Sequence, residues 1–314
     1  MKFIDLHCDC INRLYYSCEK QNILKNTFHV DVEKLRKGEC FIQTFAIFLD
    51  EDFVCGNNQV LSDEFESMIK NYFSQINLAK DSICHISDKI NDKNAMYALL
   101  SAEGCGFIDN DAERFSKLAD FDVKMASLTW NYENCLAHPN SKYNNVMQKG
   151  LKKLGFEAIE FFNEKKIIAD ISHLSDGGAF DVLKTSKMPV VASHSNARAL
   201  INNPRNLSDE LIKKIADSGG IIGINFYPFF LSGSNNASIE DILRHTDYII
   251  NIGGEDVVSL GSDFDGIECT PQIDDISQMQ KLYSEFLNSN HSHKTAEKLF
   301  YKNAERLFKA FEIL

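Results

Sequence analysis

The sequence lacks the features that mark several classes of protein. No run reaches the roughly 18 consecutive apolar residues that a membrane-spanning helix needs, and Asp5 interrupts the N-terminus before the apolar part of a secretion signal could form. No block of lysine and arginine occurs and the formal net charge is −12, which disfavours a general nucleic-acid binder. We therefore predict a cytoplasmic protein with neither a membrane nor a nucleic acid as partner.

Cysteine pairs and glycine-rich signatures are also missing. The nine cysteines include no CxxC pair, which argues against a structural zinc knuckle, and their odd number fits a reducing compartment. No glycine-rich fingerprint follows the first apolar segment, as a Rossmann fold would require, and no Pro-rich linker or repeat divides the chain. We expect a single domain over residues 1–314, and a homodimer is one oligomeric state that the sequence leaves open.

Eight short apolar segments, most of them separated by helical patterns, are what the sequence does contain. They predict strands at 3–7, 41–49, 96–103, 123–129, 167–173, 189–194, 220–226 and 257–265. Helical periodicity predicts helices at 63–80, 147–166 and 208–219, and Ser208 stands at the N-cap of the last. Strands that are apolar throughout indicate a parallel sheet covered on both faces. We therefore predict an α/β fold, a (β/α)₈ TIM barrel on which the segment 293–314 docks as a C-terminal helix.

Residues with metal-binding or proton-transfer chemistry stand at the ends of five of these strands. Each has an ordinary explanation when taken alone, such as a buried hydrogen-bonded histidine or an aspartate in a turn. Barrel enzymes, however, build their sites from the C-terminal ends of several strands, so five such ends point to one site. The residues concerned are His7, Asp9, Glu103, His173, His194 and Asp263.

Side-chain alternation along the strands predicts which residues share a face with these groups. In the first strand it directs Cys8 towards the helices and leaves His7 and Asp9 together. The predicted common faces are Phe3, Asp5, His7 and Asp9; Tyr97, Leu99, Ser101 and Glu103; Ile167, Ala169, Ile171 and His173; and Val190, Ala192 and His194.

With these residues in place, the sequence resembles the membrane dipeptidase (renal dipeptidase) family of binuclear zinc peptidases, within the amidohydrolase-like superfamily. The matching motifs run in family order from residue 5 to 266, and their combination is far more specific than any one of them. They are DLHCD, SAEG, SLTWN, DISH, SHSNAR, NPRNLSDE, GINFY and GSDFDG.

The resemblance implies a zinc-dependent dipeptidase that cleaves the peptide bond with a hydroxide bridging two Zn²⁺ ions. It implies that His7, Asp9 and Glu103 hold one ion, and that Glu103, shared between the two, holds the other with His173 and His194. Asp263 would transfer the proton. Arg205 would clasp the terminal carboxylate of the dipeptide, with Tyr227 as a further binding residue.

One residue departs from the family pattern. Well-studied members have a histidine after the LT of the fourth strand, where it touches the substrate, and this chain has Trp130. An indole can pack or donate through its N–H, but it carries no imidazolium charge. His138, eight residues further on, is a candidate substitute, although an ordinary surface histidine is the simpler interpretation.

Two other functions stay open on the sequence alone. One is a different amidohydrolase-like enzyme that acts on a cyclic amide or a related small substrate. Many such enzymes begin with HxH or bridge their metals through a lysine in strand 4, whereas this chain has HxD, and Lys124 lies near the start of that strand. The other is a catalytically silent metal-binding homologue in which Trp130 closes the pocket.

Overall fold

Parallel strands alternating with helices account for most of the chain. The computed structural model describes residues 1–50, 58–88 and 95–314. The strands are β1 (Phe3–Asp5), β2 (Cys40–Phe48), β3 (Ile83–His85), β4 (Met96–Glu103), β5 (Met125–Ser127), β6 (Ile168–Asp170), β7 (Val191–Ala192), β8 (Ile221–Ile224) and β9 (Val258–Leu260).

The helices lie after most of the strands. They are α1 (Cys10–Tyr16), α2 (Val32–Gly38), α3 (Asn58–Leu78), α4 (Ser116–Asp120), α5 (Asn144–Met147), α6 (Lys153–Lys165), α7 (Asp176–Thr185), α8 (Asp209–Asp217), α9 (Pro228–Leu231), α10 (Ile239–Gly253), α11 (Met279–Asn288), α12 (His293–Glu297) and α13 (Asn303–Ala310). Within the described ranges, no helix combines the length and the apolar character that crossing a bilayer requires.

The sheet closes on itself, which confirms the predicted (β/α)₈ barrel. Its strands follow the order β2, β1, β9, β8, β7, β6, β5 and β4, and a pairing of β4 with β2 completes the ring. The unpredicted β3 pairs with the first half of β4, at residues 96–98, while β5 pairs with the second half at 101–103. Three residues form too short an apolar run to be recognised as a strand in the sequence.

The predicted helices are present with shifted ends. The pattern at 63–80 corresponds to α3, that at 147–166 to α6, and that at 208–219 to α8. Ser208 caps α8 as predicted, since its hydroxyl oxygen accepts a bond from the backbone N–H of Leu211 at 3.3 Å. The apolar stripe of α8, formed by Leu211, Ile212 and Ile215, is buried.

Apolar side chains pack in two layers. The larger layer lies between the outside of the barrel and the helices, and the smaller one fills the barrel at the N-terminal ends of the strands. The second layer combines residues of seven strands, and of the segments just after β1 and β3, with residues from the end of the chain: Ile4, Leu6, Phe41, Ile42, Ile86, Tyr97, Leu99, Met125, Ile168, Val191, Ile221, Ala304, Leu307, Phe308 and Phe311. The C-terminal helix α13 therefore covers that end of the barrel.

Alternation predicts the common face correctly in β4 and incorrectly in three other strands. In β4, Tyr97 and Leu99 point into the barrel while Ala98 and Leu100 face the helices. In β1 the order is reversed, because Ile4 and Leu6 lie inside and Phe3 packs on the helix side, although Cys8 does face the helices as predicted. The interior residues of β6 and β7 are Ile168 and Val191, whereas Ile167, Ala169, Ile171, Val190 and Ala192 pack outside.

The error has a physical cause. β4 remains regular up to Glu103, so two-residue alternation holds to its end. β1, β6 and β7 end at Asp5, Asp170 and Ala192, two or three residues before the predicted ligand. At His173 the backbone has a φ of +69°, a left-handed conformation that is uncommon outside glycine and that redirects the side chain.

Candidate active site

The polar residues predicted at the strand ends meet at the C-terminal end of the barrel. His7, Asp9, Glu103, His173 and His194 are all buried, with at most 7% of their surface exposed. Glycines at 223 and 261 allow the chain to pack this tightly, because a Cβ atom there would lie 1.9 Å and 1.8 Å from the carbonyl oxygen of Ser193. The five side chains are thus held on neighbouring elements around one point.

Glu103 lies between two groups of candidate ligands. Its Oε2 is 3.5 Å from Nε2 of His7, which in turn is 3.3 Å from Oδ2 of Asp9. Its Oε1 is 2.9 Å from Nε2 of His173 and 3.3 Å from Nε2 of His194. Two sets of three donor atoms therefore share one carboxylate, and each set is compact enough to surround a metal ion.

Hydrogen bonds at the opposite ring nitrogen orient the two later histidines for metal binding. Nδ1 of His173 lies 3.0 Å from the amide oxygen of Asn131, which can only accept, so Nδ1 carries the proton. Nδ1 of His194 lies 2.7 Å from the hydroxyl of Ser193, which itself donates to the carboxylate of Asp170. Both imidazoles therefore present an unprotonated Nε2 to Glu103, the form that a metal ligand needs.

Two buried atoms of this cluster lack a hydrogen-bond partner within the described part of the chain and are suited to bind a cation. Among the described buried side chains, Nε2 of His7 and Oδ1 of Asp9 have no hydrogen-bond partner. Burying polar atoms without partners is costly, and nitrogen and carboxylate oxygen are the donors that zinc and similar ions bind. The residues present thus fit two divalent cations that share Glu103.

The charges within the cluster are strongly coupled. Burial alone would raise the pKa of Glu103, but the charge of the adjacent His7 opposes it, and that pKa lies well below its usual value. Burial and the Arg205 guanidinium lower the pKa of His173 to about 4. Near neutral pH the shared carboxylate is therefore ionised while His173 is neutral.

Asp263 stands beside the cluster with a backbone suited to reach it. Its φ is +62°, and its Oδ2 accepts a bond of 2.8 Å from the side-chain amide of Asn225. Its Oδ1 lies 3.9 Å from Nε2 of His7. Burial, together with the neighbouring carboxylates of Asp9 and Glu103, raises its pKa to about 7, although His7 opposes the shift. A carboxyl group with that pKa can both accept and return a proton near neutral pH.

Arg205 reaches the same point from the loop after β7. Its guanidinium donates to the carbonyl oxygen of His194 at 3.3 Å, and its Nη2 lies 3.1 Å from Nε2 of His173. Burial lowers its pKa, and its Nε has no partner among the described residues. A buried cation with unused N–H groups is suited to bind an anionic group of a ligand.

A cavity of about 800 Å³ opens above the cluster. Trp130 lines it, with its ring 4.4 Å from that of Phe48, and Tyr227 lines it on the side of Arg205. His138 does not line the cavity and is not a surface residue either, since it is buried with Nδ1 2.9 Å from the carboxylate of Glu133. His138 therefore does not replace the histidine that the family resemblance leads us to expect at position 130.

Some residues of the site were not predicted from the sequence. Asn131, Ser193 and Asp170 orient two histidines, and their closeness in sequence to the predicted ligands or to Trp130 was the only available signal. Arg13 also lines the cavity, but an arginine on a short helix is not distinguishable in sequence from an ordinary surface residue.

Comparisons with known proteins agree with this geometry. The family model "Membrane dipeptidase (Peptidase family M19)" matches residues 1–314. An uncharacterised dipeptidase of Schizosaccharomyces pombe is 28% identical over 92% of this chain and 73% of its own length. A protein of Klebsiella pneumoniae, described only by its position near pqqA, is 33% identical over 66% of this chain and 79% of its own.

Solved structures share the fold along almost the whole chain. A metallopeptidase of family M19, described as dipeptidase AC, superposes with a TM-score of 0.90 at 24% identity, covering 99% of this chain and 98% of its own. A metallopeptidase from Rhodobacter sphaeroides, bound to a phosphinate mimic of L-Ala-D-Ala, has a TM-score of 0.89 at 23% identity and covers 99% of both chains. The match of the family model over all 314 residues establishes that the chain belongs to the membrane dipeptidase family, peptidase family M19, and is a metallo-dipeptidase.

Proposed function

We propose that this enzyme hydrolyses dipeptides with a free C-terminal carboxylate, and that it uses two Zn²⁺ ions held through Glu103. The observation that carries the proposal is the position of Glu103, whose two oxygens face separate sets of ligands. When bound, two such ions polarise the scissile carbonyl and acidify a water molecule. The use of zinc rests on the nitrogen and carboxylate donors and on the family.

Arg205 would select the substrate by its terminal carboxylate. Its planar guanidinium can donate two parallel bonds to a carboxylate, and its place beside His173 and His194 would put the adjacent peptide bond at the metal cluster. In a longer peptide the carboxylate at Arg205 would still leave only the last peptide bond at the cluster. The cavity, with a volume of about 800 Å³, would then have to hold the remaining residues.

Asp263 would move the proton. Its place beside the cluster suits a group that takes a proton from the attacking water and passes it to the leaving amine. Asn225 would keep the carboxylate turned towards the substrate through its bond to Oδ2. Trp130 and Tyr227 would contact the side chains of the dipeptide, with Trp130 providing an apolar wall where other members have a histidine.

The test is turnover of free and amidated dipeptides by the zinc-loaded enzyme, with metal counted in the same samples. The wild type should cleave Ala-Ala and L-Ala-D-Ala, and Arg205→Ala should lose about a hundredfold in kcat/KM on the free dipeptides while amidated ones change little. Arg205→Lys, which keeps the charge but not the fork, should recover only part of the loss. Equal losses on free and amidated substrates would remove Arg205 from carboxylate binding.

The cytoplasmic location, the homodimer and the single domain over residues 1–314 stay predictions. The eight cysteines in the described ranges are free, which is compatible with a reducing compartment, and Cys55 lies outside those ranges.

A further inference from the structure

A second arginine lines the active-site cavity and has no role in the function proposed so far. Arg13 lies on α1, one helical turn after the candidate ligand Asp9, to whose carbonyl oxygen its backbone N–H donates at 3.1 Å. Its guanidinium carbon sits 4.8 Å from the ring centre of Phe28, and both residues line the cavity. The aromatic ring holds a cation at the cavity wall without neutralising it.

The charge of Arg13 acts on Asp9 and Asp265 only from beyond salt-bridge distance, where it opposes the rise of their pKa values. No carboxylate in residues 1–50, 58–88 or 95–314 forms a salt bridge with it. The nearby Asp265 accepts bonds from the backbone N–H groups of His29 and Val30 at 2.7 Å and 3.1 Å. Asp9 belongs to the metal-binding cluster. In a protein with a net charge of −12, an arginine that faces a ligand cavity without a salt-bridge partner is available to an anionic group of a ligand.

Arg13 and Arg205 approach the cavity from different sides. Arg205 follows β7 and lies over Phe230, with 5.5 Å between its guanidinium carbon and the ring centre, whereas Arg13 follows β1. In the ring of strands, β9 and β8 lie between β1 and β7. Arg205 therefore lies on the His173 and His194 side of the candidate metal ligands, and Arg13 lies on the Asp9 side.

The chemistry of a dipeptide assigns a different part of the substrate to each of these two arginines. The α-carboxylate belongs to the second residue, while the scissile carbonyl belongs to the first. With the carboxylate at Arg205 and the carbonyl at the cluster, the side chain of the first residue extends away from Arg205. On the basis of the proposed function, we infer that Arg13 binds a carboxylate on the first side chain and so favours dipeptides that begin with an acidic residue.

Two acidic side chains without an assigned role, Asp265 and Glu268, also line the cavity. Glu268 is close enough to Tyr227 to add to burial in raising the pKa of the tyrosine hydroxyl. The Tyr227 ring packs 4.9 Å from that of Phe230, beneath Arg205. Glu268 therefore lies near Tyr227, on the Arg205 side of the cavity, while the Asp265 carboxylate is engaged by the backbone N–H groups of His29 and Val30.

The experiment compares Glu-Ala with its neutral isostere Gln-Ala in the zinc-loaded enzyme. The ratio of the two kcat/KM values cancels any general loss of activity. Arg13→Ala should lower this ratio by about fivefold to tenfold, as expected for a partly exposed charged hydrogen bond. Arg13→Glu should lower it further and raise the relative rate on Lys-Ala. The wild-type preference should also weaken at roughly 0.5 M salt, since exposed charges are screened.

Arg36→Ala is the matched control, because it removes the same charge from an exposed position where the guanidinium bonds Ser82. It should leave the Glu-Ala to Gln-Ala ratio within about twofold of the wild type. An unchanged ratio in Arg13→Ala, or a larger effect on Ala-Glu against Ala-Gln, would overturn the inference while the proposed function stands. If the zinc-loaded wild type cleaved no dipeptide, both would be overturned.

Discussion

The two ends of the barrel differ in chemical character, one being polar and the other apolar. At the C-terminal ends of the strands, buried carboxylates and imidazoles lie close together, and at least two of their atoms have no hydrogen-bond partner within the described residues. At the N-terminal ends, Ile4, Leu99 and Ile221 meet Leu307 and Phe308 of α13 in an apolar layer. The first arrangement costs folding free energy and the second supplies it, so activity and stability should respond to mutation separately.

The largest effect is expected at Glu103. Glu103→Ala removes the one carboxylate that both ligand sets share, so the protein should lose both metals and at least about a thousandfold in hydrolysis. The buried polar groups at the C-terminal ends of the strands cost folding free energy. The thermal midpoint of metal-free Glu103→Ala should therefore not fall below that of the metal-free wild type. Elemental analysis and calorimetry check the two statements. A Glu103→Ala protein that kept two metals would refute the shared ligand.

At Phe308 we expect the opposite result, a loss of stability with little change in activity. Phe308→Ala leaves a cavity in the apolar layer, and the free energy of unfolding should fall by about 3–5 kcal/mol. Denaturant titration measures this loss. At temperatures where the variant is folded, kcat/KM should stay within about twofold of the wild type, since the site lies at the other end. Lys309→Ala, on the exposed side of the same helix, is the control and should change stability by less than about 0.5 kcal/mol.

A smaller effect should appear at Ser193, which would act on a bound metal through His194. Ser193→Ala removes the acceptor that fixes the proton on Nδ1, and metal affinity should weaken by about ten- to a hundredfold. Competition with a chelator measures the affinity independently of turnover. Ser193→Thr keeps the hydroxyl and should keep most of the affinity. If both variants bound zinc like the wild type, the hydrogen bond would have no part in metal binding.

The smallest effect concerns a charged cluster near β3. Partial burial raises the pKa of Asp122, but bonds from His85, Lys124 and Ser87 outweigh it and lower that pKa below its usual value. A carboxylate with a lowered pKa stabilises the folded state above its unfolded pKa, and the contribution disappears as the pH falls through the folded value. Asp122→Asn should therefore cost about 1 kcal/mol at pH 7, because Asp122 is partly screened by solvent. Denaturant titrations at pH 7 and below pH 4 should show the difference shrinking, and a constant difference would contradict the assignment.

The same contrast explains what could be predicted from the sequence. The barrel and its eight strands follow from apolar runs, and Glu103 follows from alternation because β4 is regular to its last residue. His173 and Asp263 have φ values of +69° and +62°, so side-chain alternation does not predict the direction of their side chains. Their position just after a strand nevertheless identifies them as candidate site residues. Hydrogen-bond partners such as Asp170 and Asn131 come from different strands or loops, and only the folded chain shows which histidine each one orients.

We propose that ligands distant in sequence surround two metal ions, one on each side of the Glu103 carboxylate. The most direct measurement is a crystal structure of the zinc-loaded protein, with anomalous scattering recorded on both sides of the zinc absorption edge. We expect two zinc peaks per chain, one beside His7 and Asp9 and one beside His173 and His194, with Glu103 contacting both. A single peak away from Glu103, or none at this end of the barrel, would contradict it.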